Sequence, residues 1–241
     1  MATNTAANES ADKDFYDNEA VGSEDDHRRF MEEIGLYFAT YSDRLNRELA
    51  GTAGVVAELG AGSCGLSCHA SRLDNVSRVY SCDISAVRMN KMLDLSARIV
   101  VARRDKITTI PSDFNQRLPF DDGALDAVLF DAALHHTRSM WGLIAECARV
   151  LRPGGILIAQ RESYLSPLRA GSQLRFLMQS PEVAAQVSEN MYLRSQYEYY
   201  LGVNGFEVEF HPVSRGRLKK SLRLLNGSLF TDGVLFCHRR T

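Results

Sequence analysis

The periodicity of apolar positions changes several times along this chain, and each change marks an element. Between residues 27 and 49 apolar side chains recur at three- and four-residue steps, through Phe30, Ile34, Tyr37, Phe38, Tyr41, Leu45 and Leu49. That spacing predicts a helix with one buried face. The run Val55-Val56-Ala57-Glu58-Leu59 then breaks into Gly60-Ala61-Gly62-Ser63-Cys64-Gly65, which reads as a buried strand, a tight turn and a helix start. Residues 78–82 give a second strand ending at Asp83. Ser85 stands where a helix N-cap is needed, ahead of a helix over 86–101. A third strand follows over 106–112. The segment 125–131 is almost continuously apolar, as suits a strand covered on both faces. A helix over 139–151 buries Met140, Leu143, Ile144, Cys147 and Val150, Pro153-Gly154-Gly155 stops it, and a fifth strand occupies 156–160. Strand, helix and strand at these intervals predict right-handed crossovers and a parallel sheet in an α/β, doubly wound fold.

The alternation stops after Arg161-Glu162. Residues 163–200 contain Pro167, Pro181 and a long helical pattern through Met191, Tyr192, Tyr197, Tyr199 and Tyr200, closed by Gly202, Asn204 and Gly205. Residues 206–210 and 234–237 read as two strands close enough to pair as an antiparallel ribbon. The expected organisation is a disordered polar tail over 1–14 and one domain over 15–241. That domain divides into a helical lid (15–50), a cofactor-binding core (51–162), a helical cap (163–200) and the final strands (201–241).

Composition narrows the picture. A chain of 241 residues, 45% hydrophobic, can bury a full core as one domain with additions. The net charge of -2 gives no polycation to argue for nucleic acid. Five cysteines, odd in number and without Cys-x-x-Cys spacing, argue against a disulfide framework or a zinc site and suit a reducing compartment. The first residues have no apolar signal-peptide core, and no apolar run approaches a membrane span. A cytoplasmic protein without membrane insertion is expected.

The candidate chemistry centres on the glycine turn. Gly60-x-Gly62-x-x-Gly65 has dinucleotide-binding spacing, and Asp83 ends the next strand, where a carboxylate can accept both hydroxyls of a ribose. Glycine serves where a ligand must lie against bare backbone, and the amides of the turn favour a polar ligand. A plain glycine turn in an α/β sheet is the competing reading.

Several segments extend the pattern: Glu58-Leu59-Gly60-Ala61-Gly62, Cys82-Asp83-Ile84-Ser85, Ser112-Asp113-Phe114, Leu118-Pro119-Phe120 with Leu125-Asp126 after it, Leu134-His135-His136, and Leu151-Arg152-Pro153-Gly154-Gly155. In this order and spacing they resemble a class I S-adenosylmethionine-dependent methyltransferase of the broad small-molecule group, type 11/25-like. The resemblance is strong over roughly 50–160 and holds in outline over 200–241. It implies a Rossmann-like, seven-stranded sheet with the antiparallel ribbon last, S-adenosyl-L-methionine as cofactor and S-adenosyl-L-homocysteine as product. It also implies roles. Glu58 would hold the methionine ammonium through water, and Gly60, Ala61 and Gly62 would run beside the methionine. Asp83 would bind the ribose and Ile84 would pack on the adenine. Asp113 would accept from the adenine amino group, the Phe114 amide would contact the ring, and Asp131 would lie near the methionine end. One departure stands out: the family's third glycine, two residues after the second, is Cys64 here, and Gly65 comes one place later, so the turn is expected to differ locally.

Methyl transfer is an in-line displacement from a sulfonium, so the protein mainly orients the acceptor and excludes water. It requires no metal and no covalent nucleophile. A base helps only when the acceptor carries a proton, and His135, His136 and Glu162 follow strand ends where such a base belongs. The bland alternative has one histidine capping or filling space, the other facing solvent, and Glu162 paired with Arg161 or another cation. Phe15 and Tyr16 are the residues expected to close over the cofactor. The cap reads either as an acceptor pocket or as a cover for the sheet. The basic stretch 215–223 would meet an anionic acceptor or form a solvated amphipathic helix. Two further functions fit part of the pattern: an NAD(P)-dependent oxidoreductase, which shares the glycine turn and Asp83 but lacks a Tyr-x-x-x-Lys pair, and a non-catalytic binding protein on the same fold. The expected partners are a small-molecule methyl acceptor and, as an option, a second copy of the chain. Neither the acceptor nor the choice among oxygen, nitrogen and carbon is legible.

Overall fold

A computed structural model describes residues 11–18, 23, 25–29, 31–32, 42–52, 54–212 and 232–241. Its strands are β1 (Gly54–Leu59), β2 (Val76–Asp83), β3 (Ile107–Pro111), β4 (Leu125–Asp131), β5 (Leu151–Leu165), β6 (Tyr192–Leu193), β7 (Phe206–Pro212) and β8 (Asp232–Arg239). The sheet order is β3-β2-β1-β4-β5-β8-β7, and β6 pairs with the end of β5. The first five strands are parallel, while β8 slots antiparallel between β5 and β7. The expected mostly parallel, seven-stranded sheet with a terminal antiparallel ribbon is what forms.

The apolar runs are continuous because both faces of the sheet are covered. Val56, Leu129 and Ile158 pack on one face with Leu66, Met89 and Leu93. Their neighbours Ala57, Val128 and Leu157 point the other way, onto Met140, Leu143, Ile144 and Leu201. The helix Ala86–Val100 begins at Ser85, whose side chain accepts from the Arg88 amide. Met140–Val150 begins in the same way at Ser139, which accepts from Gly142. All five cysteines are buried and free. Among the described residues no helix is long and apolar enough to cross a membrane.

Three segments differ from expectation. Residues 11–14 belong to a helix over 11–18 rather than to a tail. Asp12 is buried there against Arg138, a long-range ion pair that composition cannot reveal. Residues 1–10 lie outside the described residues, as does the basic stretch 215–223. Of the helix expected over 27–49, residues 25–29, 31–32 and Ser42–Gly51 are helical, and 33–41 lie outside the described residues. The fifth strand starts as soon as the preceding helix ends and continues to Leu165, so residues 163–165 are strand, not cap. Parallel pairing of Tyr164 and Leu165 with Tyr192 and Leu193 extends it. The cap itself is broken into Ala170–Leu177, which buries none of its residues, the single turn Pro181–Ala184, and Arg194–Val203, which buries Tyr197 and Leu201. Ser180 caps the turn that Pro181 opens, and a proline there cannot continue an earlier helix.

The inserted strand β8 carries much of the load at this end of the sheet. Phe236 is fully buried, with the Arg44 guanidinium 4.6 Å above its ring and the His211 ring at 5.5 Å. Phe236→Ala should therefore cost about 3–5 kcal/mol, read as a lower urea midpoint with an unchanged slope.

Candidate functional site

The chain leaves β1 outward through β2 and β3, then returns to β4 on the other side of β1. Helices therefore diverge above the carboxyl ends of β1 and β4, and a crevice opens there. A cavity of about 270 Å³ occupies it. The glycine turn, the ends of β2, β3 and β4, residues 12 and 16 of the first helix, and residues 187–188 of the cap form its walls. Of the expected site residues, Gly60, Ala61, Gly62, Asp83, Ile84, Asp113, Phe114, Asp131 and His136 all line this one cavity. Asp83 and Asp113 thus face the same space.

The glycines have separate reasons. Gly60 takes φ +66, and a Cβ there would lie 2.7 Å from Ala133 Cβ and 3.0 Å from the Phe114 ring. Gly62 takes φ +45, and its amide donates to Asp83 Oδ2 at 2.8 Å. The Ser85 amide donates to Asp83 Oδ1, also at 2.8 Å. Asp83 therefore ties the turn after β1 to the turn after β2. Burial pushes its carboxyl up, against the pull of the Ser85 and Gly62 amides. At the departure, Cys64 itself adopts the left-handed backbone, φ +58, as the helix Gly65–Ser71 begins. Gly65 does not line the cavity, and a Cβ there would meet only ordinary contacts.

Two expected contacts sit differently. Glu58 lies beneath the turn, where its carboxylate accepts from the Leu66 amide (3.3 Å) and from the amide and hydroxyl of Ser67 (2.7 and 2.5 Å). Burial pushes its carboxyl up to about 8, with the Ser67 hydrogen bonds opposing and the charge of Asp131 adding. Asp113 lines the cavity, but its oxygens already accept from the Asn115 amide (2.8 Å) and from Arg138 (3.0 Å). Arg138 also pairs with Asp12, whose second oxygen is buried without a partner among the described residues.

The loop after β4 and a bulge within β5 build the opposite wall. Ala132 and Arg161 both take left-handed backbone, φ +52 and +55, a conformation that non-glycine residues hold only where surroundings impose it. Arg161 pairs with Asp131, and its conformation makes a bulge between Gln160 and Glu162 in the ladder with β8. The bulge turns Glu162 inward beneath the short 3₁₀ turn Leu134–His136. There Glu162 accepts from the amides of Ala133, Leu134 and His135 at 3.1, 3.0 and 3.2 Å, and meets His135 Nδ1 at 2.5 Å. Burial alone would raise the Glu162 carboxyl, but the His135 charge and these hydrogen bonds outweigh it and lower it. Of the pairings open to Glu162, the one with Arg161 does not form: Arg161 goes to Asp131, and Glu162 meets His135. His135 and Glu162 sit behind the cavity wall, and His136 is in it.

Several cavity residues carry no motif. Asp12, Arg88, Asn115, Arg161, Val187 and Ser188 arrive by tertiary folding. Tyr16, the aromatic expected over the cofactor, does line the cavity; its hydroxyl lies 3.4 Å from His136 Nδ1 and its ring 5.6 Å from the Arg88 guanidinium. On the same helix Asp17 accepts from the Ser85 hydroxyl at 2.6 Å. The bare backbone at Gly60, the donor-rich turn, the buried unpartnered oxygen of Asp12 and the acids at the ends of β2 and β3 suit a nucleoside bearing a cationic tail.

Glu58 supplies a pH test. Its folded pKa is raised, so the stability tied to it is complete below the ordinary carboxylate range and drains away as pH rises towards 8. Glu58→Gln removes that loss. The melting temperature of the variant relative to the unsubstituted protein should rise between pH 5 and pH 8.5; a flat difference would contradict the burial argument.

Residues 57–159 match the methyltransferase domain family. Over 84 residues the chain is 38% identical to the uncharacterised protein YafE of Escherichia coli K12, covering 35% of this chain and 39% of that protein. Over 162 residues it is 31% identical to the dimethylglycine N-methyltransferase of Parasynechococcus marenigrum WH8102, covering 62% of this chain and 54% of that protein. The chain thus spans about two fifths to a half of these curated relatives. A geranyl diphosphate C-methyltransferase from Streptomyces coelicolor, solved with Mg2+, geranyl diphosphate and S-adenosyl-L-homocysteine, shares the fold with a TM-score of 0.66 at 17% identity, over 97% of this chain and 98% of that one. None of these matches supports the oxidoreductase reading. Sheet order, the cleft at its switch point and the match over residues 57–159 agree, and together they support a class I S-adenosylmethionine-dependent methyltransferase.

Proposed function

We propose that this protein transfers the methyl group of S-adenosylmethionine to a neutral hydroxyl of a small molecule, with His136 taking the hydroxyl proton. The observation that carries this reading is the presence of His136 in the wall of the same cavity as Asp83 and the glycine turn. In this reading the remaining acceptor capacity of Asp83 meets the ribose hydroxyls, Ile84 covers the adenine, and Gly60 to Gly62 border the methionine. Asp131, held by Arg161, and Glu58 beneath the turn supply negative charge towards the cationic end. Asp113 acts through Arg138 and the Asn115 amide, shaping the adenine end. The first helix closes the cleft through Asp12, Tyr16 and Asp17.

When bound, the cofactor supplies an activated methyl on a good leaving group. The chain's residues must then align the acceptor and keep water out. His136 Nδ1 lies 2.8 Å from the Ser188 carbonyl, which can only accept, so Nδ1 carries a proton and Nε2 is left as the basic nitrogen. Glu162 and His135 brace the turn that presents His136. The exposed helix Ala170–Leu177 buries nothing, so the cap contributes to the cleft through residues 187–188.

Calorimetry with S-adenosylmethionine and with NAD tests the cofactor. Binding of S-adenosylmethionine, weakened roughly 10- to 100-fold by Asp83→Asn, is expected; binding of NAD alone would sink the reading. Mass-shift screening of hydroxyl, amine and carbon acceptors tests the chemistry. Methylation confined to amines or carbon would refute the hydroxyl assignment and leave the cofactor assignment standing.

A further inference from the structure

We propose that Glu189 is a positioning residue for the proton acceptor: it fixes the His136 ring through Nδ1–H and balances the charge that ring takes on. The inference rests on the reading of His136 as the base. Glu189 lies in the cap, between the turn Pro181–Ala184 and β6, with its side chain 17% exposed. Its Oε2 is 2.9 Å from His136 Nδ1, and its Oε1 is 3.7 Å from His135 Nε2. One carboxylate therefore spans both imidazoles, whose centroids are 4.3 Å apart.

The segment that delivers Glu189 is fixed on both sides. Val187 is buried, and the Ser188 carbonyl accepts from His136. Asn190 donates to the carbonyls of His135 and Thr137, each at 3.1 Å. Two residues further, Tyr192 joins the sheet beside Tyr164. Residues 187–190 thus grip the 134–137 turn by backbone and side chain together.

The charges facing His136 come from five directions. Glu189 and Ser188 approach from the cap, and Tyr16 from the first helix. His135 lies beside it with Glu162 behind, and Asp83 faces it from the end of β2. Glu162 is committed to three amides and His135, so Glu189 is the carboxylate in direct contact. Burial of His136 opposes its protonation, but Glu189 and the Ser188 carbonyl outweigh that and raise its pKa. In the transfer step the acceptor O–H bond breaks and its proton passes to His136 Nε2. The O–methyl bond forms as the carbon–sulfur bond breaks, and that electron pair stays on sulfur. His136 becomes a cation against the Glu189 carboxylate, then returns the proton to solvent.

Histidine ring NMR on the full chain tests this, with S-adenosyl-L-homocysteine present where it binds and without it otherwise. Six histidines are few enough to resolve, and His136→Asn assigns the signal. In Glu189→Gln the His136 midpoint should fall by about one pH unit, roughly tenfold in proton affinity, while Glu189→Asp keeps most of the shift. Product affinity should stay within about twofold in both. An unmoved His136 midpoint in Glu189→Gln would overturn the proposal. So would equimolar Mn2+ broadening the His135 and His136 signals in the unsubstituted chain but not in Glu189→Gln, since Glu189 would then serve an ion. Failure of the cofactor reading would show as absent product binding, a separate measurement.

Discussion

At the ligand-binding edge of this sheet, backbone donors are satisfied by buried carboxylates. A loop that must surround a ligand cannot pair its own amides in a helix or ladder, and an unpaired buried amide is costly. Here Glu58 receives the amides that open the helix after β1. Asp83 receives those of Gly62 and Ser85, Asp113 that of Asn115, and Glu162 three successive amides of the 133–135 turn. Glu58 and Asp83 lie at the ends of β1 and β2, Asp113 follows β3 and Glu162 sits at the bulge within β5, so each of these strands carries the group that fixes a neighbouring loop. The cleft keeps its shape because these acids occupy both its walls and its floor.

The same constraint explains the strain. Glu162 can reach the 133–135 amides because Arg161 bulges β5, and that bulge costs a left-handed backbone at a residue with a side chain. Ala132 makes the matching concession at the end of β4, where its amide donates to the Gln160 carbonyl at 2.9 Å. The antiparallel ladder with β8 continued without the bulge would send Glu162 to the other face and leave the turn unsupported.

The strands, the two serine caps, the glycine turn and the acids of the cleft were legible because local patterns encode them: apolar runs, a hydroxyl before a helix, and an acid where a buried strand ends. What stayed hidden depends on contacts between distant parts of the chain. Asp12 looked like part of a polar tail until Arg138, 126 positions away, gave it a partner. Glu162 was open to Arg161 or another cation, and the bulge sends it to His135 while Arg161 goes to Asp131. Glu189 carries no motif; it matters only because the cap returns to the turn after β4. Cys64 shows the converse limit, since a residue that sequence alone reads as a departure adopts the glycine-like backbone after all.

Burial gives the acids a second role. Burial raises the carboxyls of Glu58 and Asp83 against the hydrogen bonds that favour their charged forms. They hold their protons more tightly than exposed acids would. A sulfonium or ammonium entering the cleft would add to the positive field that Arg88 and His136 already exert on Asp83, and an opposite charge nearby favours ionisation.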